Sequence, residues 1–128
     1  MTTLSQERSN FALKKLISAE GKINKEFGSH MAGLPSMVLS NGMAQSFAFI
    51  IQKKKLGTIE RQVISWTVEW LSTKGWVNGN PDQLARDHLR FMQLLSEMDQ
   101  SDYLSCQRET LALWEWLKRY ANSDMFGK

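Results

Sequence analysis

The sequence contains little cysteine or proline and no long hydrophobic run. Its single cysteine, Cys106, excludes an internal disulfide and is typical of a reducing compartment. No apolar run approaches the roughly 20 residues that a membrane span needs. The first ten residues, MTTLSQERSN, also lack the basic and then apolar pattern of a secretion signal. We therefore expect a cytoplasmic protein without a membrane partner.

Side chains that commonly carry out catalysis are also scarce. The two histidines, His30 and His88, do not have the spacing of a metal site. His88 falls on an apolar stripe, which favours a hydrogen-bonded core or interface histidine, and His30 is expected in an exposed loop. Cys106 also falls on an apolar stripe, whereas a reactive thiolate needs an electropositive, partly exposed setting. We expect no enzymatic activity and neither a cofactor nor a metal site.

Apolar residues recur at helical spacing along the chain, and no stretch alternates as a strand would. We predict helical segments at about 3–27, 34–54 (in two pieces), 58–74, from 80 onward and 99–122. Thr58, Asn80 and either Asp99 or Ser101 are the expected N-caps. Helices with short links pack as a bundle, so we predict an all-α fold. We expect a compact bundle of five to six helices forming a single domain over residues 1–128.

The dipeptide Asn41-Gly42 has a second interpretation. Asn-Gly is a strong hairpin signal, yet Met43, Phe47, Ile50 and Ile51 follow it at helical spacing. The spacing favours a helix, with the dipeptide either inside it or at a break between two helices. A hairpin remains an alternative.

Basic residues form several candidate patches for RNA binding. Net charge of +3 and a pI near 9.1 permit a polyanionic partner without requiring one. If the first segment is one helix, its five cations share an arc of about 120°. Each patch alone is typical of a solvated face, but together they predict salt-sensitive, sequence-independent contacts with phosphates. The candidates are Arg8, Lys14, Lys15, Lys22 and Lys25 in the first segment, Lys53, Lys54 and Lys55 after the second, and Arg108, Lys118 and Arg119 in the last.

Three further residues are candidates for a protein interface. Trp116 lies more than about 90° from the buried stripe of the last segment, beside Arg119, and Trp and Arg are enriched at binding hot spots. Alternatively, Trp116 covers a neighbouring loop. Arg86 and Arg90 are spaced one helical turn apart and complete this group.

Two stretches, GLPSMVLSNGMAQSFAFI (33–50) and ETLALWEWLKRYA (109–121), resemble the paired signatures of a known family. This family is the small, fifth subunit of the RAMP-type Cmr effector complex of type III-B CRISPR systems. Within these stretches, the resemblance matches Lys118 and Arg119 to a basic pair of the family and Gly42 to its Asn-Gly packing site. Leu39 and Ala44 stand where many relatives have arginine and glycine.

The resemblance implies an all-helical, non-catalytic subunit that acts in antiviral defence. Its copies would stack as a filament along the guide-carrying backbone subunits and help to hold guide RNA and target RNA. The implied partners are the backbone and large subunits, copies of the chain itself, and both RNAs. The rival hypothesis is a helical adaptor or small regulator that contacts only protein. A DNA-binding helix-turn-helix is the third and least favoured hypothesis. It would need a short glycine-containing turn before a convincing recognition helix, and the sequence shows none.

Overall fold

A computed structural model of the chain describes residues 1–126. This part of the chain is helical and contains no strand, which confirms the all-α class. It has seven α-helices where five to six were predicted, because some predicted segments are interrupted. The helices are α1 (Leu4–Ser18), α2 (Lys25–Asn41), α3 (Met43–Lys53), α4 (Ile59–Thr73), α5 (Pro81–Arg86), α6 (His88–Glu97) and α7 (Gln100–Ala121), with short 3-10 helices at Glu20–Lys22 and Asp124–Phe126.

Most of these helices begin at a side chain that accepts a hydrogen bond from the first turn. Such a cap satisfies a backbone N–H group that has no partner inside the helix. The predicted caps Thr58 and Asn80 are confirmed, and Asp99 rather than Ser101 caps α7. Thr3 forms a reciprocal capping box with Gln6 at the start of α1.

The predicted first segment, 3–27, is not one helix. Helix α1 ends at Ser18, and α2 begins after Asn24, whose side chain accepts a hydrogen bond from the Phe27 N–H at 2.8 Å. Ile23 and Phe27 are nevertheless buried, as the apolar spacing predicted. The spacing therefore continues across the break, which is why periodicity alone does not reveal it.

The stretch GSHMAG, expected to be a loop, lies inside α2. The helix also contains Pro35, although a proline removes one intrahelical hydrogen bond. Met31, Leu34 and Val38 are all buried on the same side of α2. Their packing outweighs the weak local preference of the sequence.

Gly42 separates α2 from α3, so the break interpretation is correct and the hairpin is wrong. Gly42 has φ +85°, a conformation that glycine reaches without a Cβ clash. The first N–H groups of α3 are capped from α7: Met43 donates to Gln107 Oε1 and Ala44 donates to the Tyr103 hydroxyl, each at 2.9 Å. A similar break at Asp87, which caps α6, divides the predicted fourth segment.

Helix α7 packs against α1, α2 and α4 and provides the centre of the core. Trp114 is fully buried, and its indole N–H donates to Thr67 Oγ1 of α4 at 2.8 Å. Phe47 of α3 stacks on Trp114 with ring centroids 5.6 Å apart and on Phe91 of α6 at 5.9 Å. This aromatic stack connects α3, α6 and α7, so the buried side of α7 is tightly packed beneath its exposed face.

Candidate nucleic-acid interface

The outer face of α7 presents two arginines. Arg108 and Arg119 are eleven residues apart, which places them within about 20° of each other on the helix and about 16 Å apart along it. Both are exposed, and neither has a carboxylate partner among residues 1–126. Lys118, the third cation predicted here, is half-buried and pairs with Glu115 at 2.9 Å. Two guanidinium groups therefore remain available on one rigid face.

Arg8 belongs to the interior charge network that fixes α7 against α1. Its guanidinium donates to both carboxylate oxygens of Glu109, at 2.5 and 2.9 Å. The Trp70 indole N–H also donates to Glu109, at 3.2 Å. Hydrogen bonding to Glu109 raises the pKa of Arg8. Because the buried carboxylate of Glu109 needs this cation, Arg8 is not available to contact RNA.

The cations of the predicted first segment do not share one helical face. Lys14 and Lys15 lie on α1, whereas Lys22 and Lys25 lie beyond its end, so the arc of 120° does not apply. Lys15 pairs with Glu69 at 2.8 Å. Lys14, Lys22 and Lys25 are exposed and have no carboxylate partner in the described part of the chain.

The structure brings Lys15 and Lys22 together with Arg86 of α5. They line a cleft of about 420 Å³ that also contains Glu69 and Asp82. The cleft therefore carries both signs of charge and is a weaker anion site than its three cations suggest. Arg90 lines a different cleft with Asn78 and Asp87, because the break at Asp87 places it on α6. Arg86 and Arg90 do not form the single patch that one-turn spacing predicted.

The three lysines between α3 and α4 differ in their surroundings. Lys53 lies over the Phe49 ring at 5.7 Å, and Lys54 is 3.7 Å from a carboxylate oxygen of Glu60. Lys55 is exposed without a carboxylate partner in residues 1–126, next to Leu56, which is 80% exposed. This loop thus combines positive charge with an exposed apolar side chain.

Trp116 lies on the outer side of α7, half-buried and stacked on Tyr120 with ring centroids 5.6 Å apart. It covers part of α1 rather than a loop. Trp116 and α1 enclose a groove of about 250 Å³, whose α1 wall consists of Ser5, Gln6, Ser9, Asn10 and Leu13. We did not predict this groove from the sequence. The spacing of these residues along α1, at i, i+1, i+4, i+5 and i+8, is the signal that was available.

His88 is a structural histidine, as its place on an apolar stripe predicted. Its Nε2 lies 2.9 Å from Ser65 Oγ, and its Nδ1 lies 3.2 Å from Nη2 of Arg61. Burial, followed by the Arg61 charge, lowers the pKa of His88. Because Arg61 can only donate, Nδ1 is the acceptor in the hydrogen bond with Arg61. The ring therefore connects α6 with α4.

Cys106 and His30 were the other two residues considered for catalysis, and the structure confirms the predicted burial only for Cys106. Cys106 is buried, as predicted, and burial raises the pKa of its thiol to about 11. A thiol with this pKa is protonated at neutral pH and is a poor nucleophile. His30 was expected in an exposed loop, which is wrong: it is half-buried within α2, and burial lowers its pKa.

Within residues 1–126, no three or more His, Cys, Asp or Glu side chains are grouped so that they could hold a metal ion. No helix in this range is both long and apolar enough to cross a membrane. The family model described as "CRISPR-associated protein (Cas_Cmr5)" matches residues 4–124, nearly the whole chain.

Proposed function

Since the chain belongs to the Cas_Cmr5 family of CRISPR-associated proteins, we propose that it is a non-catalytic subunit that helps to hold guide and target RNA. Family membership makes it a Cmr subunit that associates with other Cmr subunits. Within that assembly, copies of the chain stack along the guide-carrying backbone subunits. The assembly acts in the cytoplasm in antiviral defence.

The RNA-holding role is supported chiefly by Arg108 and Arg119. Their spacing of about 16 Å on one face of α7 spans several nucleotides of an RNA strand. Proteins hold A-form duplexes mainly through phosphates and 2′-hydroxyl groups, because side chains cannot read the deep major groove. Two guanidinium groups on one helix face supply such contacts without reading sequence, since phosphate contacts position a protein but carry no sequence information.

Other cations contribute according to whether their charge is already paired. Lys14, Lys22, Lys25 and Lys55 are exposed without carboxylate partners in the described residues, so they remain RNA candidates. Arg8 and Lys15 are assigned to the fold because Glu109 and Glu69 already hold them. Lys53, Lys54 and Lys118 have local partners and are expected to contribute less.

Contacts with neighbouring subunits are supported by exposed leucines. Leu39, Leu56 and Leu89 are each more than 70% exposed, on α2, the α3–α4 loop and α6. They lie on several surfaces, which suits a subunit with more than one protein neighbour. A head-to-tail contact that does not close into a ring produces a filament, so the rest of the complex must set the number of copies.

The RNA-holding role is tested by paired charge reversals. We compare R108E/R119E with R86E/R90E, because both variants replace two exposed arginines and change the net charge equally. We expect R108E/R119E to weaken binding of a single-stranded guide-length RNA by at least about tenfold, while R86E/R90E has a smaller effect. Each lost charged contact is worth about 1 kcal/mol or more. Affinity is measured by fluorescence anisotropy at fixed salt.

An equal loss in both variants would show that only net charge matters and would remove the role assigned to α7. Unchanged affinity in both would do the same. Copurification with the other Cmr subunits is measured in parallel. An adaptor that contacts only protein would keep those subunits in both variants, and neither variant would change the amount of RNA retained.

A further inference from the structure

The groove between α1 and α7 combines an aromatic wall with polar side chains that have spare hydrogen-bonding capacity. Trp116 forms the α7 wall, and Leu13 adds apolar surface on α1. Asn10 and Ser5 make no side-chain hydrogen bond within residues 1–126. Gln6 uses its Oε1 in the capping box, which leaves its NH₂ group available. The groove thus places an aromatic side chain beside hydrogen-bond donors and acceptors.

These features are those with which proteins bind an unpaired nucleobase. Bases that leave a helix stack on aromatic side chains and form hydrogen bonds along their edges. The groove volume of about 250 Å³ is below the roughly 300–1,000 Å³ of pockets for drug-sized ligands. It therefore suits one ring system.

Each helix of the groove carries a cation about one turn from a groove-lining residue, although neither cation lines the groove. Lys14 is four residues beyond Asn10, one helical turn along the same side of α1. Arg119 is three residues beyond Trp116 on α7. Both side chains are exposed and lack a carboxylate partner in the described part of the chain. A nucleotide with its base in the groove would therefore find one cation on each of the two helices for its phosphates.

We propose that this groove binds one unpaired nucleobase of the RNA, which stacks on Trp116. The proposal rests on the proposed function, because it concerns the same RNA and shares Arg119. It adds a preference for a base that is not paired, whereas contacts with phosphates alone treat paired and unpaired RNA alike. The stacking itself distinguishes no particular base, since every base has a face that can stack.

The test compares two forms of one RNA on the full-length chain. The probes are a single strand of about ten nucleotides, within the usual site sizes, and the same strand annealed to its complement. We expect W116A to weaken binding of the single strand about tenfold and to leave duplex binding within about twofold. Stacking of a base on an aromatic side chain corresponds to roughly 5- to 150-fold in affinity. W116F keeps an aromatic ring and should retain most of the affinity.

Two further variants keep the test decisive. F49A removes another exposed aromatic residue beside a lysine, on α3 away from the groove, and should change neither affinity. Because Trp116 also stacks on Tyr120, W116A could perturb the fold, which is checked by circular dichroism. In that event N10A serves instead, since Asn10 is exposed and its amide makes no hydrogen bond within residues 1–126. We expect N10A to weaken only single-strand binding, by about threefold.

Four outcomes would overturn the proposal. Equal weakening of single-strand and duplex binding by W116A would make Trp116 part of a general RNA surface. No change in RNA binding, together with weaker copurification of the other subunits, would make the groove a protein contact. If R108E/R119E loses RNA while W116A and N10A do not, only this inference fails. If the wild-type chain binds neither RNA form, the RNA-holding role fails as well.

Discussion

Replacing Arg8 with methionine should strongly destabilise the fold, because it leaves the buried carboxylate of Glu109 without its cation. The Glu109 side chain is 3% exposed and that of Arg8 is 21% exposed. Breaking a buried ion pair by removing one partner costs about 3–5 kcal/mol. We expect the low end, about 3 kcal/mol, because Arg8 is partly solvated and the Trp70 indole still donates to Glu109. Methionine preserves the apolar stem, so the loss isolates the charge.

The free energy of unfolding is measured by urea titration followed by circular dichroism. A loss of this size should also lower the melting temperature by about 10 °C in a chain of this length. K14M is the matched control, since Lys14 is exposed on the same helix, and it should change stability by less than about 0.5 kcal/mol. The double variant R8M/E109Q should recover much of the loss, because glutamine leaves no buried charge. If R8M unfolded with the same free energy as K14M, the structural role of Arg8 would be refuted.

Two further predictions concern stability. G42A should cost about 1–2 kcal/mol in urea titration because of its φ of +85°, whereas G33A, inside α2 with nothing within 4 Å of the added Cβ, should be neutral or stabilising; equal effects would contradict this reasoning. Stability should fall as pH drops below about 6.5, because the lowered pKa values of His30 and His88 mean that the unfolded chain binds more protons than the native one. H88Q should reduce this dependence between pH 7.5 and 5, and an unchanged pH profile would refute the contribution of His88.

The sequence predicts the helical class and several helix starts because these depend on local patterns. Thr58, Asn80 and Asp99 cap their helices through side chains three residues from the N–H groups that they accept. The break between α1 and α2 was missed because the buried spacing continues through Ile23 and Phe27. Local patterns therefore establish that a segment is helical better than they establish where it is interrupted.

The candidate interface was less predictable because the state of each cation depends on distant residues. The partner of Arg8 is 101 residues away in the sequence, and that of Lys15 is 54 residues away. No helical periodicity reveals such pairs. The exposure of Arg119 and the outward position of Trp116 could be predicted, since both follow from the buried stripe of α7. The α1 wall of the groove has a helical spacing in the sequence, but its position opposite Trp116 could not be predicted, because the two walls belong to helices far apart in the chain.

The salt dependence of binding decides whether the outer face of α7 holds RNA through the phosphates of the RNA. Affinity for a single-stranded guide-length RNA is measured over a series of salt concentrations for the wild-type chain and for R108Q/R119Q. Each phosphate contact with a single strand contributes about 0.7 to the slope of log K against log salt concentration. Loss of both contacts should therefore make the slope shallower by about 1.4 in R108Q/R119Q. Identical slopes for the two proteins would show that Arg108 and Arg119 make no contact with the RNA phosphates.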